Sequence, residues 1–548
     1  MKSKRLQAGG VEIKFLIFQG ELCKIVDVVW RKLFFFKSLS VKFQRHNLTT
    51  KAGIYAVIIL LFNLTANGQQ GKFNWNQFRG PNGQGVAEAD SIAVHFSPDS
   101  NVLWKTVIGA GQSSPVIWND RIFLSAYESA NRKELVTLSI DREDGKILWR
   151  QVIQAETKVR FHPMNSPASA SPAADEKHVY VYFGTYGLVC YDHAGKKVWQ
   201  RKIKPPKSLY GPATSPILYE DKVILVLDDN SGTSRLLAVN RDTGETAWEQ
   251  PRSLYRAGWS TPMIWRHGDT KELVVLGFKR LTSYNPSNSE EIWWAGGFSQ
   301  ETVGVPVTGE GLLFVSDAAM AGRGEEKWDA DLTWKITVER FDKNHDNQIQ
   351  RDEMTKGFTI PLRPELATDN PGYGLPIFNM DHLLKYIDKD KDQVISQTDW
   401  MQTMSGFSMD SRPNLLAIRP GATKDARPSH VVWEIHRGTP ETPSILYCRG
   451  KLYLIRSGGL LTCIEASTGK EIFRERIGAP GQYVASPIAA GDKLILASAR
   501  GVVTVIQVDD KLKILARNNF GEKIFATPAI AENKIYLRTT GHLYALGK

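Results

Sequence analysis

Short runs of alternating apolar and polar residues fill most of the chain after residue 104, and they come in groups of four. A group begins with Ser-Pro or Thr-Pro, continues through two apolar segments joined by a tight turn, and adds a third segment ending in Asp or Asn. A turn with Gly and a fourth segment with Trp complete it. Alternation with a period of two is typical of β-strands, so each group predicts a four-stranded antiparallel sheet.

The groups recur about every 44 residues, the length of a propeller blade. A proline marks the start of each group, and seven of these prolines follow Ser or Thr: Pro115, Pro172, Pro216, Pro262, Pro306 (after Val305), Pro443, Pro487 and Pro528. Residues 101–108 form a fourth segment with no partners before it, and residues 541–548 form a third segment with none after it. Joined, they predict an eighth blade that closes the ring and leaves no open sheet edge. A β-helix or a sandwich repeat is the alternative, but it does not explain two complementary half-blades.

The fourth segments carry a recurring motif, as in DREDGKILW (141–149) and DHAGKKVW (192–199). The large indole of the tryptophan that ends this motif is suited to packing between neighbouring blades. The residues in this position are Trp104, Trp149, Trp199, Trp248, Trp293 and Trp433, with Phe473 in one copy. The motif resembles the tryptophan-docking blades of the pyrroloquinoline-quinone (PQQ)-type β-propellers, and NWNQFRGPNGQGV (74–86) resembles the lead-in of their secreted bacterial members. The resemblance implies an all-β, eight-bladed propeller.

That superfamily includes quinoprotein dehydrogenases and an outer-membrane assembly lipoprotein that is not an enzyme, so the resemblance leaves activity open. The dehydrogenases usually have an adjacent Cys-Cys pair on the quinone and carboxylate and Asn ligands for calcium. The four cysteines here, Cys23, Cys190, Cys448 and Cys463, are separate, and we expect buried free thiols. GxSxG, HExxH and phosphate-loop motifs are also missing from the sequence. We therefore predict no catalytic residues and do not expect PQQ as a cofactor.

One interval between groups is much longer than a blade and places an insertion at 319–411, between the second and third strands of blade five. It contains two segments in which oxygen-bearing residues stand at positions 1, 3, 5, 7, 9 and 12, the spacing of an EF-hand calcium loop. The predicted ligands of loop one are Asp342, Asn344, Asp346, the Gln348 carbonyl, Gln350 and Glu353. Those of loop two are Asp388, Asp390, Asp392, the Val394 carbonyl, Ser396 and Asp399.

The two loops differ in quality. Position 6 needs a positive φ, which Asn347 in loop one tolerates better than Gln393 in loop two. Position 12 of loop two is Asp399, whose short arm favours a single coordinating oxygen. We expect calcium in loop one and weaker binding in loop two, with magnesium competing. Apolar residues at helical spacing flank both loops. A structural clamp is the favoured role, and a calcium sensor is the alternative.

The connections from fourth to first strands share one propeller face with those from second to third strands. Arginine and aromatic side chains on this face could hold an anionic or quinone-like ligand; capping the channel end is the alternative role. The candidate residues are Arg160, His162, Tyr210, Tyr255, Arg256, Trp259, Glu301, His436, Arg437 and Tyr483.

The formal charge of +11 lies mostly in residues 1–68, which hold eleven Lys and Arg against three acids, so nucleic-acid binding is not predicted.

A secretory signal cleaved after Gly68 is indicated by Lys51, the apolar run 54–62 and the small residues before Gly68. The apolar run is too short to span a membrane. The expected organisation is a leader (1–68), a lead-in (69–103), propeller (104–318), insertion (319–411) and propeller again (412–548).

We therefore predict a secreted or periplasmic calcium-binding propeller that serves as a binding or scaffolding module in the cell envelope. Its partner would be a protein, or a small anionic or polymeric ligand, at the channel mouth. A PQQ-dependent oxidoreductase with a divergent site is the alternative.

Overall fold

The structure is a computed structural model. It describes residues 5–8, 11–14, 74–89, 91–129, 131–155, 161–162, 165–317, 330–354, 358–361, 374–377, 380–405 and 414–547. The chain divides into two compact units, Met1–Gln69 and Gln70–Lys548. In the first unit, β1 (Arg5–Ala8) pairs with β2 (Val11–Lys14) in an antiparallel hairpin. The predicted signal segment and its cleavage point after Gly68 lie outside the described residues.

The second unit contains eight blades of four antiparallel strands, which confirms the predicted propeller, and the lead-in adds a fifth strand to the sheet of blade 7. The lead-in contributes β3 (Val86–Ala87), and β4 (Val102–Val107) follows it. The strands of blades 1 to 4 are β5 Val116–Trp118, β6 Arg121–Tyr127, β7 Glu134–Asp141 and β8 Ile147–Gln154; β9 Ala173–Ala174, β10 His178–Phe183, β11 Gly187–Asp192 and β12 Lys197–Lys202; β13 Ile217–Tyr219, β14 Lys222–Leu227, β15 Arg235–Asn240 and β16 Thr246–Pro251; β17 Met263–His267, β18 Thr270–Gly277, β19 Arg280–Tyr284 and β20 Glu291–Gly296.

Blade 5 is interrupted between its second and third strands, and the remaining blades are regular. The strands of blade 5 are β21 Val307–Gly309, β22 Leu312–Asp317, β25 Asn414–Ile418 and β26 Val431–Ile435. Blades 6 to 8 comprise β27 Leu446–Cys448, β28 Lys451–Arg456, β29 Leu460–Glu465 and β30 Glu471–Arg476; β31 Ile488–Ala490, β32 Lys493–Ala497, β33 Val502–Gln507 and β34 Lys513–Asn519; β35 Ala529–Ala531, β36 Lys534–Arg538 and β37 His542–Leu546, completed by β4.

The last blade is closed by the two ends of the repeat region. Strand β4 pairs antiparallel with β37, with Trp104 opposite Ala545 and Val107 opposite His542. The predicted joining of the half-blades is therefore confirmed. Because β4 completes the eighth blade, the ring is closed and every blade has a neighbouring blade on each side.

Adjacent blades are joined by tryptophan docking. The indole of Trp104 donates a hydrogen bond to the carbonyl of Arg142 in the next blade (3.0 Å), and Trp149 bonds to His193 in the same way (2.8 Å). In the turns under Trp104, Trp149, Trp199 and Trp433, a glycine with a positive φ lies against the ring; a Cβ on Gly145 would be 2.6 Å from Trp104. Glycine suits these four positions both for backbone conformation and for space. In the turn under Trp248 the position is taken by Ser289, also with a positive φ (65°). The same bond is made by Trp199, Trp248 and Trp433 to Arg241, Pro286 and Ala466.

Blade 4 departs from this pattern. Trp293 occupies the equivalent register and is fully buried in a cluster with Leu416 and Ile418 of blade 5. Its indole, however, donates to Glu272 of its own blade (2.5 Å). The reason is that blade 5 has the helix α4 (Arg427–His430) between its third and fourth strands in place of the short docking turn.

The insertion lies between β22 and β25, which are hydrogen-bonded neighbours in blade 5. It forms α1 (Ala330–Phe341), β23 (Phe358–Pro361), β24 (Gly374–Ile377), α2 (Met380–Tyr386) and α3 (Gln397–Ser405). Its helices enclose a small apolar core of their own, in which the rings of Trp334 and Trp400 are 5.6 Å apart. The predicted helical insertion in blade five is thus confirmed.

Candidate binding sites at the channel mouth and in the insertion

The lead-in runs across one end of the central channel. Trp75 forms a bridge to Ile117 of blade 1, and the side chain of Asn82 exchanges hydrogen bonds with the backbone of Ile264 in blade 4 (2.7 and 3.0 Å). The Gln84 side chain then accepts from Thr308 of blade 5, and β3 pairs in parallel with β31 of blade 7. Because these partners lie on innermost strands around the ring, the lead-in closes that end of the channel.

Above the lead-in lies a cavity of ≈150 Å³. Its described lining has small hydroxyl residues, a few aromatic rings and no charged side chain: Phe78, Gln112, Ser114, Asn165, Ser169, Tyr210, Ala213, Ser215, Trp259, Thr261, Val303, Thr442, Ser444, Val484, Ser486, Phe525 and Thr527. Most of these residues belong to the connections between fourth and first strands. The cavity therefore lies toward the face on which those connections run, which we call the mouth face.

A ring of hydrogen bonds surrounds the cavity. At the start of each blade, a backbone N–H donates to the hydroxyl of the equivalent Ser or Thr in the next blade. The bonds run from Ser114 to Ser171 (2.8 Å), Ser171 to Ser215 (3.0 Å), Ser215 to Thr261 (3.1 Å), Val305 to Ser444 (3.0 Å), Ser444 to Ser486 (3.0 Å), Ser486 to Thr527 (2.9 Å) and Thr527 to Ser114 (3.1 Å). We call these seven hydroxyl residues the hydroxyl ring.

The hydroxyl ring is interrupted once. Val305 has no hydroxyl, so the N–H of Thr261 lacks the acceptor that every other blade provides. The hydroxyl ring also corrects one of the prolines predicted to mark the start of a blade. In blade 6 the ring residue is Ser444, which is followed by Ile445, so the predicted marker Pro443 stands two residues before the position of the other prolines.

Two of the predicted mouth residues line the cavity. The indole of Trp259 donates to the Gly211 carbonyl (2.7 Å), and its ring meets that of Tyr210 edge-on at 5.2 Å. His162 packs edge-on against Tyr210, with ring centroids 4.8 Å apart. These three rings form one wall of the mouth.

The other predicted mouth residues have separate surroundings. Tyr255 is buried under the Arg252 guanidinium and hydrogen-bonded to Thr282. Arg256 is exposed and Glu301 partly exposed. The remaining three are engaged elsewhere: His436 bonds to Asn414 (2.7 Å), Arg437 pairs with Glu471 (3.5 Å) and the Tyr483 hydroxyl donates to Ala479 (2.8 Å). Arg160 lies outside the described residues.

Both loops of the insertion have, at their sixth position, the positive φ expected of a calcium loop. Position 6 has a positive φ in each, 60° at Asn347 and 71° at Gln393. Ile349 and Ile395 at position 8 exchange two backbone hydrogen bonds, of 3.0 and 3.1 Å, which pair the loops. The predicted ligands therefore belong to one paired unit.

Backbone N–H groups of the loops donate hydrogen bonds to the carboxylates and orient them. Asp342 accepts from the N–H groups of His345 (2.6 Å) and Asn347 (2.9 Å), and Glu353 accepts from Lys343 (2.8 Å) and Gln350 (2.9 Å). In loop two, one carboxylate oxygen from each of Asp388, Asp390 and Asp392 lies within 4.8 Å of the others. Burial opposes ionisation of Asp399, but hydrogen bonds from Ser396 and Lys389 outweigh it and lower the pKa of Asp399. Such a set of hard oxygen donors fits calcium.

Asp317 stands at the root of the insertion, at the end of β22. It is buried, accepts the Ser299 N–H and has no cationic partner among the described residues. Burial raises the pKa of Asp317 from 3.8 to about 6, because the hydrogen bonds compensate only part of the desolvation. Ser299 belongs to the connection between blades 4 and 5, so the insertion leaves the propeller on the mouth face.

Free thiols occur as predicted at Cys190, Cys448 and Cys463, all of which are buried; Cys23 lies outside the described residues. Among the described residues, no helix has the length and apolar character needed to cross a membrane.

The repeats match a known family over most of the chain. The family described as "PQQ_2: Outer membrane protein assembly factor BamB" matches residues 132–293, 233–345 and 382–546. The chain belongs to this family. A search of curated protein sequences finds no match.

Several solved structures align with the chain at low sequence identity. A europium-containing methanol dehydrogenase aligns with a TM-score of 0.50 at 9% identity, over 87% of this chain and 98% of its own. BamB from Moraxella catarrhalis aligns with a TM-score of 0.47 at 11% identity, over 81% of this chain and 100% of its own. Quinohemoprotein alcohol dehydrogenase from Comamonas testosteroni aligns with a TM-score of 0.46 at 11% identity, over 88% of this chain and 81% of its own. At these identities the first alignment supports the fold and no shared activity.

Proposed function

We propose that this BamB-family propeller is a protein-binding scaffold of the cell envelope, and that it holds calcium in its insertion. Family membership and the predicted secretory signal support the location. The observation that carries the proposal is a pair of leucines on the mouth face. Leu209 is 68% exposed and Leu254 is 70% exposed, and each lies in a connection between fourth and first strands.

These two leucines are equivalent residues in adjacent connections. Both stand in the sequence Ser-Leu-Tyr, and the tyrosines that follow them, Tyr210 and Tyr255, pack inward. The inward rings hold the backbone so that the leucine before them points outward. Large apolar side chains that are this exposed cost solvation unless they are covered, and they commonly mark protein-binding surfaces.

The cavity does not fit a PQQ dehydrogenase. Its volume of ≈150 Å³ is below the roughly 300 Å³ at which ligand pockets usually begin. Its described lining also has no carboxylate that could hold a calcium ion beside the quinone. The residues at the mouth thus support binding rather than quinone chemistry.

Calcium in both loops of the insertion is part of the same proposal. The positive φ at both sixth positions and the gathered carboxylates support it. Because the insertion starts on the mouth face beside Ser299, it is placed to border a partner bound there. Loop one, with Glu353 at position 12, should bind calcium more tightly than loop two, with Asp399.

The test is affinity capture from envelope extracts with the exported chain in millimolar calcium. Replacing both leucines, Leu209→Asp and Leu254→Asp, should reduce the recovered partner at least tenfold, because two charges would be buried in the interface. Leu103→Asp is the matched control. Leu103 is also exposed (43%) but lies on β4, the outer strand of blade 8, so this variant should capture as the wild type does.

Recovery of the same partner by the double variant would contradict the proposal, and so would the absence of any enriched envelope protein. Dye-linked dehydrogenase activity after addition of PQQ and calcium would replace it with the oxidoreductase alternative.

A further inference from the structure

The hydroxyl ring leaves its protons without protein acceptors. Each of the seven hydroxyl oxygens accepts a backbone N–H, and among the described residues none of these hydroxyls donates to a protein atom. The N–H occupies one side of the oxygen, so the hydroxyl proton must point elsewhere. Six of the seven residues line the cavity; Ser171 does not. The cavity is thereby surrounded by hydroxyl donors, each polarised by the bond it accepts.

Two buried arginines add positive charge next to this ring. Arg538 donates from its guanidinium to the carbonyl (3.0 Å) and hydroxyl (2.6 Å) of Ser113, the residue before Ser114 of the ring. Arg79 follows the cavity residue Phe78 and donates to the Ile445 carbonyl (2.8 Å), next to Ser444 of the ring. Both side chains are fully buried, and neither forms an ion pair with a described carboxylate.

Buried charge without a counter-ion is unfavourable, and it creates a strong local preference for an anion. Desolvation lowers the pKa of Arg79 and of Arg538 to about 9, so both remain protonated at neutral pH. Nε and Nη1 of Arg79 and Nε of Arg538 are also buried without hydrogen-bond acceptors. The acidic groups beside the cavity do not cancel this charge: Glu441 lies 3.7 Å from its own partner Arg456, and Glu301 makes an interaction of its own.

We infer that the cavity is a binding site for a small carboxylate, whose oxygens accept from the six hydroxyls of the ring that line the cavity and whose charge compensates Arg79 and Arg538. The size limits the ligand, because a cavity of ≈150 Å³ holds about six non-hydrogen atoms. Trp259, Tyr210 and Phe525 supply apolar contact for a short carbon chain. A short-chain monocarboxylate combines these properties. This site is independent of protein binding to the leucines on the mouth face.

The test uses the full chain and four probes at constant ionic strength. Propionate is the ligand; propionamide has the same shape without the charge, propylammonium has the opposite charge, and octanoate is too long. Differential scanning calorimetry should show a saturable rise in the propeller melting temperature with propionate, because a ligand of the folded state stabilises it by mass action. Propionamide, propylammonium and octanoate should give at most a tenth of its apparent affinity.

A matched pair of variants locates the effect. Ser215→Ala and Ser171→Ala each remove one ring hydroxyl that accepts a neighbouring N–H, at 3.0 and 2.8 Å, but only Ser215 lines the cavity. Ser215→Ala should weaken propionate binding at least tenfold, and Ser171→Ala should bind as the wild type does. Thr527→Val, which preserves shape, replaces Ser215→Ala if that variant does not fold.

Equal responses to propionate and propionamide would show that charge is not recognised and would overturn the inference. Equal affinity in the Ser215→Ala and Ser171→Ala variants would place the carboxylate outside the cavity. No saturable response at 100 mM propionate, roughly the weakest affinity that still counts as a site, would mean that the cavity holds only water.

Discussion

The propeller and its insertion are stabilised in different ways. In the propeller, the same docking contact joins five pairs of neighbouring blades, for example Trp104 of blade 8 to blade 1 and Trp433 of blade 5 to blade 6, and a second set of bonds joins the blades around the channel. The insertion has one small apolar core and two loops rich in carboxylates, and in loop two three of these carboxylates lie close together. We therefore expect the propeller to be stable without a ligand, and we propose that a cation stabilises the insertion by reducing the repulsion between its carboxylates.

The largest expected difference comes from removing one buried tryptophan in each region. Trp104→Ala removes the indole that joins the closing blade to blade 1 and should cost about 3–5 kcal/mol of propeller stability. Trp400→Ala leaves a cavity in the core of the insertion, where the Trp400 ring packs on Trp334. It should remove the helical circular-dichroism signal and leave the thermal unfolding transition of the propeller unchanged. Calorimetry and circular dichroism of the full chain check both.

If Trp400→Ala shifted the propeller transition as far as Trp104→Ala does, the two regions would fold as one unit, and the contrast between them would be wrong.

The second prediction concerns Asp317, where the two regions meet. Its folded-state pKa of about 6 lies above its ordinary value of 3.8, so its favourable contribution is complete below pH 3.8 and is lost as the pH rises through 6. The loss corresponds to about 3 kcal/mol. Asp317→Asn should therefore stabilise the propeller at pH 7, by up to that amount, and have little effect at pH 4.

Denaturant unfolding at the two pH values measures this difference. An Asp317→Asn variant that is destabilised equally at both would indicate that the ionised carboxylate makes favourable contacts.

The third prediction tests the metal dependence of the insertion. Glu353→Gln removes the charge at position 12 of loop one and should weaken calcium binding at least tenfold, or about 1.4 kcal/mol. Glu339→Gln is the control, because Glu339 is exposed on α1, outside both loops, and pairs with Lys335 (4.0 Å). Isothermal titration calorimetry of the full chain with calcium distinguishes the two. Unchanged binding by the Glu353→Gln variant would exclude loop one as the calcium site.

The smallest effect is expected at the interruption of the hydroxyl ring. Val305→Thr supplies an acceptor for the Thr261 N–H and should stabilise the propeller by about 1 kcal/mol, the net value of one hydrogen bond. Val305→Ala, which adds no hydroxyl, should destabilise it. If threonine stabilised the propeller no more than alanine does, the N–H of Thr261 would already be satisfied by water.

Much of the fold could be predicted because it is encoded by local repetition. The turn motif of 141–149 and the half-segments at 101–108 and 541–548 specify blades and closure without any long-range information. The two loops that we propose bind calcium were located by residue spacing alone, and their ligands stay a prediction. Sequence also showed the Ser/Thr-Pro pairs, but as markers of blade starts; their hydrogen bonds depend on the ring bringing successive blades together.

The mouth was harder to predict because exposure and burial are decided by packing. Tyr210 and Tyr255 occupy equivalent places in Ser-Leu-Tyr, yet one lines the cavity and the other is buried under Arg252. The route of the lead-in, which places Phe78 at the cavity, has no periodicity from which it could be inferred. Leu209 and Leu254 cannot be recognised from the sequence, because a single leucine in a polar loop does not reveal which way its side chain points.

The central claim is that the mouth face binds an envelope protein, and hydrogen–deuterium exchange on the complex recovered by capture tests it most directly. The account predicts slowed exchange in 207–213 and 253–259, the connections that hold Leu209 and Leu254. Protection confined to the outer strands β4 and β8, where Val107 and Leu148 are also exposed, would contradict it.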